Sequence, residues 1–173
     1  DVGQRQRKGW GRMIDTVEKA LALAGRYHDG QEWNVGVPYV VGHLVPVVSL
    51  AMRIAEIDGV DPIRTGIVAA FHDSIEDTEA TRESLLADGV DPELVAAIEV
   101  LTFDPDRETR REYMIRVATS PIPEVRPTKK GDDLFNSDPV NLAIIALTNP
   151  GRANRMEAKY RRDRAILAEF QPV

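Results

Sequence analysis

Helical spacing runs through this chain almost from end to end, and that periodicity decides what it can fold into. From Met13 onward apolar residues recur three and four apart, and no segment alternates apolar and polar residues convincingly over the length of a strand. Ile14, Val17, Ala20, Leu21 and Ala24 make one such face; Leu44, Val47, Val48, Leu50, Ala51 and Ile54 make another. Asp61-Pro62 and Asp91-Pro92 each open a further helix, with the carboxylate capping free N–H groups and the proline in the first turn, where it forgoes no hydrogen bond. The segment TGIVAAFHDS is apolar almost all round and belongs in the centre of the fold. Arg107 to Thr119 reads as a charged amphipathic helix with Tyr113, Ile115 and Val117 turned inward.

Three prolines between Pro121 and Pro127 predict a bend, followed by a short helix over KKGDDLFNSDP that stops near Asp138-Pro139. A last long helix spans about Arg152 to Phe170, burying Met156, Tyr160, Ile166 and Leu167. HDGQEWNVGVPY, with Gly30, Gly36 and Pro38, reads as a loop. The expected architecture is a compact all-α domain of about six to eight helices over residues 13–173. It is preceded by a flexible basic, Gly-rich tail at residues 1–12, with Met13 close to the natural start.

Composition narrows the chemistry. The absence of cysteine among 173 residues excludes disulfide scaffolds, thiolate nucleophiles and sulfur-based metal sites, so a bound metal must use His, Asp or Glu. A formal net charge of −6 argues against broad binding to nucleic acid or an anionic membrane. No run approaches the roughly 18 to 20 consecutive apolar residues of a membrane span, and the N-terminus lacks the apolar core of a signal peptide, so a cytoplasmic location is expected. Oligomeric state leaves no mark in the sequence.

Only His28, His43 and His72 are available as imidazole ligands. The most informative segment is FHDSIEDT, Phe71 to Thr78, because its polar groups emerge at the end of a buried helix. On a continuing helix His72 would stack over Glu76, and Asp73 over Asp77. Carboxylates gathered that closely repel unless a cation neutralises them, which points to a divalent metal. Two neighbouring residues cannot complete its coordination, so His43 and Asp132 are candidates for the remainder. The blander alternative makes EDTE a cap for the helix that follows.

The ordered set of blocks, HDGQ with GVPY, the His43 helix start, HDSIEDT and TKKGDDLFNSDP, resembles the HD-domain superfamily of metal-dependent phosphohydrolases. Within it, the set resembles the small RelA/SpoT-type guanosine polyphosphate hydrolases, over about Ile14 to Phe170. The family's last block reads like VKLADRLHN, matched here at Lys129, Asp132, Leu134 and Asn136. The resemblance implies an HD-domain helical bundle with one divalent metal, usually Mn²⁺, held by His43, His72, Asp73 and Asp132. It further implies that Glu76 and Asp77 orient or activate the attacking water, and that Asn136 touches the substrate sugar or phosphate.

Trp33 and Asn34 stand where those hydrolases carry an Arg-Lys pair that holds the base and phosphates. Trp33 can stack on a base or pack the loop onto the domain. His28 either shapes the substrate loop or makes a structural hydrogen bond. The ligand spacing PYxxH is one residue longer here, Pro38-Tyr39-Val40-Val41-Gly42-His43, and Gly42 is expected to absorb the extra residue in a loop. Lys129 is the best-placed cation for substrate phosphate, ahead of Arg126 and Lys130. The basic residues Arg152, Arg155, Lys159, Arg161, Arg162 and Arg164 are expected on a solvated face, balanced by Glu157 and Asp163.

These readings converge on a phosphoester hydrolase acting on a small nucleotide, with removal of the 3′-pyrophosphate from (p)ppGpp as the leading activity. A nucleotidase or other small-phosphoester hydrolase is the alternative within enzymes. A nucleotide-binding or sensor module with a degenerate site is the alternative outside them.

Overall fold

In a computed structural model that describes residues 13–170, helices account for nearly all regular structure. They are α1 (Val17–Tyr27), α2 (Val45–Asp58), α3 (Pro62–Phe71), α4 (Ser74–Asp77), α5 (Arg82–Ala87), α6 (Pro92–Leu101), α7 (Arg110–Ala118), α8 (Val125–Asn136), α9 (Pro139–Thr148) and α10 (Pro150–Glu169). The basic segment 1–12 lies outside the described residues. Helix starts follow the capping chemistry of the sequence. Asp61 accepts from the N–H groups of Ile63 and Arg64 at 2.8 and 3.0 Å, and Asp91 accepts from Glu93 at 2.8 Å. Thr109 and Glu112 close a reciprocal capping box at the head of α7.

Helix α3 is the central element, with Thr65 through Phe71 all buried, and α1, α2, α6 and α8 pack around it. The closest helix pairing is α2 against α8. A Cβ on Gly131 of α8 would lie 2.8 Å from the Ala51 amide nitrogen and 3.0 Å from its Cα. Only a residue without a side chain permits that approach, and the neighbour is backbone, which cannot step aside. Gly131→Ala is therefore expected to destabilise the fold by about 1–3 kcal/mol, measured as a lower denaturant midpoint with an unchanged m-value.

Four sequence expectations are corrected. The segment read as a loop contains a small antiparallel hairpin, β1 (Glu32–Asn34) and β2 (Val37–Pro38), too short for alternation to register and turned at Gly36 with φ +73°. Pro127 does not end a bend; it sits in the first turn of α8, where its missing N–H has no intrahelical role. Asp138-Pro139 stops α8 and also starts α9, whose cap accepts from Val140 and Asn141 at 2.9 and 3.2 Å. Met114, not Ile115, is the fully buried neighbour of Tyr113 in α7.

The apolar helix α9 buries only Ile145 and leaves Val140 and Leu147 largely exposed. The helical stretch Val40–Asp58 is long and apolar enough to cross a membrane by length and composition, with a mean hydropathy of 1.6, although its apolar residues are not consecutive. Here Val47, Val48, Ala51 and Ala55 are buried within the protein core.

Candidate metal centre and substrate cavity

A single-residue surplus in the chain shapes the first half of the site. Val40–Leu44 forms a π-helical turn running directly into α2, in which the Val45 N–H donates to the carbonyl of Val40, five residues back. The extra residue between Pro38-Tyr39 and His43 is thus taken up inside a helix, as one wide turn, rather than in a loop. Gly42 has a steric task instead, since a Cβ there would lie 2.7 Å from Val37 Cγ1 and 2.9 Å from Trp33 Cβ. The wide turn leaves His43 buried and aimed at the end of α3.

The second half comes from a break between α3 and α4. The helix does not continue through His72 and Asp73 as expected; those two residues form the junction, and Asp77 N–H still reaches the Asp73 carbonyl at 2.8 Å. The His72 Nδ1–H donates to the Ala69 carbonyl at 2.7 Å, which fixes the tautomer and leaves the Nε2 lone pair facing inward. Nε2 of His43 lies 3.3 Å from Nε2 of His72. Asp73 Oδ2 lies 3.1 and 3.0 Å from the same two nitrogens. Asp132 Oδ1, from α8, lies 3.7 and 3.6 Å from them.

Donor atoms about 2.1 Å from a common ion sit roughly 3 Å apart when adjacent on an octahedron; the distances among His43, His72 and Asp73 match that separation, and Asp132 stands wider, at 3.6–3.7 Å. His43, His72 and Asp73 form a group that can hold a divalent metal, and Asp132 adjoins it. Two imidazole nitrogens beside two carboxylates make a donor set that a cation between them would satisfy. Burial by itself would depress His72, yet Asp73 and Asp132 outweigh it and hold its pKa well above the usual value. The chemistry of the donor set therefore fits a hard divalent ion.

The groups around this centre are fixed in turn. Tyr39 donates its hydroxyl to Asp73 Oδ2 at 2.5 Å, and burial followed by the Asp73 charge raises its pKa strongly. Lys129 Nζ donates to Asp132 Oδ2 at 2.7 Å, and the Asn136 amide donates to Asp132 Oδ1. Glu76 Oε2 accepts from the Phe103 N–H at 3.0 Å, which anchors it to the loop after α6. Burial raises the pKa of both Glu76 and Asp77, and the Asp73 charge adds to it in each case.

Of the site residues expected from the sequence, all except His28 line one cavity of about 350 Å³, together with Tyr39, Arg110, Tyr113, Arg152, Met156, Lys159 and Tyr160. His28 lies behind the cavity wall. It is stacked on Tyr39 with ring centroids 4.8 Å apart, and its Nδ1 is 2.6 Å from Gln31 Oε1. Trp33 is buried and packed against Phe135. The sequence reading omitted Tyr39, Arg110, Tyr113 and the inner face of α10. An Arg-Arg-Glu-Tyr run at a helix start was the available signal for Arg110 and Tyr113, whereas Tyr39 stood in the GVPY block without a role. Asp163, expected as a surface counter-charge, is buried and receives two bonds from Arg110, the shorter at 2.7 Å.

No family model matches the chain. Two curated proteins called GTP pyrophosphokinase do: 31% identity over 128 residues for that of Streptomyces antibioticus, and 32% over 130 residues for that of Streptomyces coelicolor. Each match takes in 71% of this chain and 14% of the relative, so the chain spans about one seventh of those proteins. Among solved structures it is similar to a metazoan ortholog of SpoT that hydrolyses ppGpp and plays a role in starvation responses. The TM-score is 0.64 at 20% identity, covering 90% of this chain and 86% of that one. The chain is thus similar in sequence to one part of the Streptomyces proteins, and it shares its all-α fold with the SpoT ortholog.

Proposed function

We propose that this protein is a metal-dependent phosphohydrolase that removes the 3′-pyrophosphate from a guanosine polyphosphate such as ppGpp. His43, His72, Asp73 and Asp132 would hold one divalent ion, with Mn²⁺ the ion of choice. The observation that carries the reading is that two imidazole nitrogens 3.3 Å apart each have two carboxylate oxygens, from Asp73 and Asp132, within 3.0–3.7 Å, in the wall of a cavity of nucleotide scale.

Such an ion supplies Lewis acidity and lowers the pKa of a water to near neutrality. The rest falls to the chain's own residues. Glu76 and Asp77 hold a water in line with phosphorus and accept its proton. Their burial-raised pKa values suit them to that exchange better than solvated carboxylates would be. The water oxygen bonds to phosphorus, the bond to the sugar 3′ oxygen breaks, that oxygen takes up the proton Glu76 or Asp77 accepted, and GDP and pyrophosphate leave. Tyr39 and Asn136 keep Asp73 and Asp132 oriented, and Asn136 also faces the substrate from the cavity wall.

A nucleotidase is the second reading, favoured by the packing of Trp33 against Phe135 and by the absence of the family's cation pair at Trp33 and Asn34. Incubating the Mn²⁺-loaded protein with ppGpp and a panel of nucleoside mono-, di- and triphosphates separates the two. Release of pyrophosphate from ppGpp is expected. Turnover confined to nucleoside phosphates would select the nucleotidase, and no turnover of any phosphoester with metal bound would sink the enzymatic reading.

A further inference from the structure

We propose that Lys159 of α10 is the phosphate-receiving residue of the cavity, contacting a phosphoryl group of the nucleotide from a different wall than the loop that carries Trp33 and Asn34. This inference rests on the reading of the cavity as a phosphohydrolase site and adds to it a specificity-determining cation.

Four cations line the cavity, and their charges are committed differently. Arg110 is held by Asp163 at 2.7 Å and lies against the rings of Phe103 and Tyr113. Lys129 is 2.7 Å from Asp132 and 2.9 Å from Asp133, so one ammonium already serves two carboxylates. Arg152 is exposed. Lys159 is partly buried, and among the described residues no carboxylate lies within ion-pair distance of it.

Its nearest groups are an aromatic ring and other cations, and the charges of Asp132 and Asp163, each already paired, reach it only from beyond ion-pair distance. Nζ lies 4.8 Å from the centroid of Tyr160. Burial, then the charges of Arg110 and Lys129, depress its pKa. An ammonium removed from water without a counter-charge is costly, and an arriving phosphate is the partner that removes the cost.

Helix α10 supports this assignment by its spacing. Arg152, Met156, Lys159 and Tyr160 fall on one stripe, and all four line the cavity. The stripe thus carries positive charge into the site, although the basic run of α10 read as an ordinary solvated face. Glu76, Asp77 and Asp73 make the metal side of the cavity acidic, so an anion entering it needs a cation in addition to the metal. The loop positions that would supply one hold Trp33 and Asn34, neither of which can neutralise phosphate.

The test compares wild type, Lys159→Ala, Lys159→Arg and, as a control on the exposed side of α10, Arg155→Ala. Steady-state hydrolysis of ppGpp in Mn²⁺ is read alongside calorimetric binding of GDP, inorganic pyrophosphate and guanosine. Lys159→Ala is expected to raise KM roughly 10–100-fold with kcat within about threefold, the size of one charge-assisted contact. It should weaken GDP or pyrophosphate by at least about tenfold and leave guanosine binding unchanged. Lys159→Arg should recover most of both effects, and Arg155→Ala should match wild type. Alanine is a better helix former than lysine, and among the described residues no ion-pair partner holds Lys159, so an unchanged melting temperature is expected.

If ppGpp is turned over and Lys159→Ala leaves KM and product binding unchanged, the subsite is overturned and the hydrolase reading stands. If wild type turns over no phosphoester but binds pyrophosphate through Lys159, the subsite stands and the hydrolase reading falls. If it neither turns over nor binds any of these phosphates, both fall.

Discussion

Asp73→Ala is expected to abolish metal binding and to lower hydrolysis by roughly 10³-fold or more, a loss of about 4 kcal/mol in transition-state stabilisation. Asp73 Oδ2 is the hub of the cluster: it is 3.1 Å from His43 Nε2, 3.0 Å from His72 Nε2 and bonded to the Tyr39 hydroxyl. Its removal takes away one donor and leaves two imidazoles facing each other without a nearby counter-charge on that side. Metal content after equilibrium dialysis against Mn²⁺, measured beside the rate on ppGpp, checks both parts at once. Retention of metal at wild-type affinity would remove Asp73 from the ligand set. Two companions sharpen the outcome. Glu76→Gln should keep the metal and lose activity, as befits a group that acts on water. Tyr39→Phe should still bind metal and turn over substrate, but with a loss of about 10–100-fold in metal affinity or rate, the usual scale for a residue that orients a ligand.

How much of this could be read from the chain alone differs sharply between local and non-local features. Helix starts at Asp61 and Asp91 are local chemistry, a cap and its next three residues, and the all-α class follows from spacing; the cap at Thr109 lies two residues inside the start expected at Arg107. The same rule at Asp138-Pro139 marks the start of α9, where a proline after a helix also signals a stop and the two meanings compete. The hairpin at Glu32–Pro38 escaped because its strands are three and two residues long, below the length at which alternation has meaning. In the candidate site, the four proposed ligands were nameable from order and resemblance, but not the means by which they meet. That depends on the wide turn over Val40–Leu44, which appears in the sequence only as one residue too many.

The tertiary partners were less legible still. Nothing in the basic run of α10 distinguishes Lys159, which faces a cavity, from Arg161 and Arg162, which face solvent. Nor does Asp163 announce that it is buried under Arg110, fifty-three residues away. Charges are assigned to surface or interior by how helices dock, and a spacing rule within one helix cannot see its neighbours.

Lys129→Ala is expected to have the largest effect on stability, about 3–5 kcal/mol, because it leaves two interior carboxylates without their shared cation. The ammonium is buried, 2.7 Å from Asp132 and 2.9 Å from Asp133, with the rings of Tyr160 and Tyr113 beyond it. Asp133 is fully buried, and among the described residues neither of its oxygens has a hydrogen-bond partner; Lys129 approaches one of them as an ion pair off the bonding angle. Burial has already pushed Asp133 up to about 6 even with the Lys129 charge beside it.

At roughly 2–4 °C per kcal/mol for a chain of this size, the melting temperature should fall by about 10 °C. The metal-free protein is the form to measure, since a bound cation would partly replace the lost charge. Lys130→Ala, one residue along, is the contrast: its bond to Asp58 at 2.7 Å joins side chains that are each about one-third exposed, and it should cost less than about 1 kcal/mol. Replacing both members of the interior pair, Lys129→Met with Asp133→Leu, should recover much of the loss, because two apolar side chains of similar size need no partner. A Lys129→Ala protein melting within about 2 °C of wild type would mean that water reaches Asp132 and Asp133. The ammonium would then be free for substrate phosphate after all, and the need for a second cation on α10 would weaken with it.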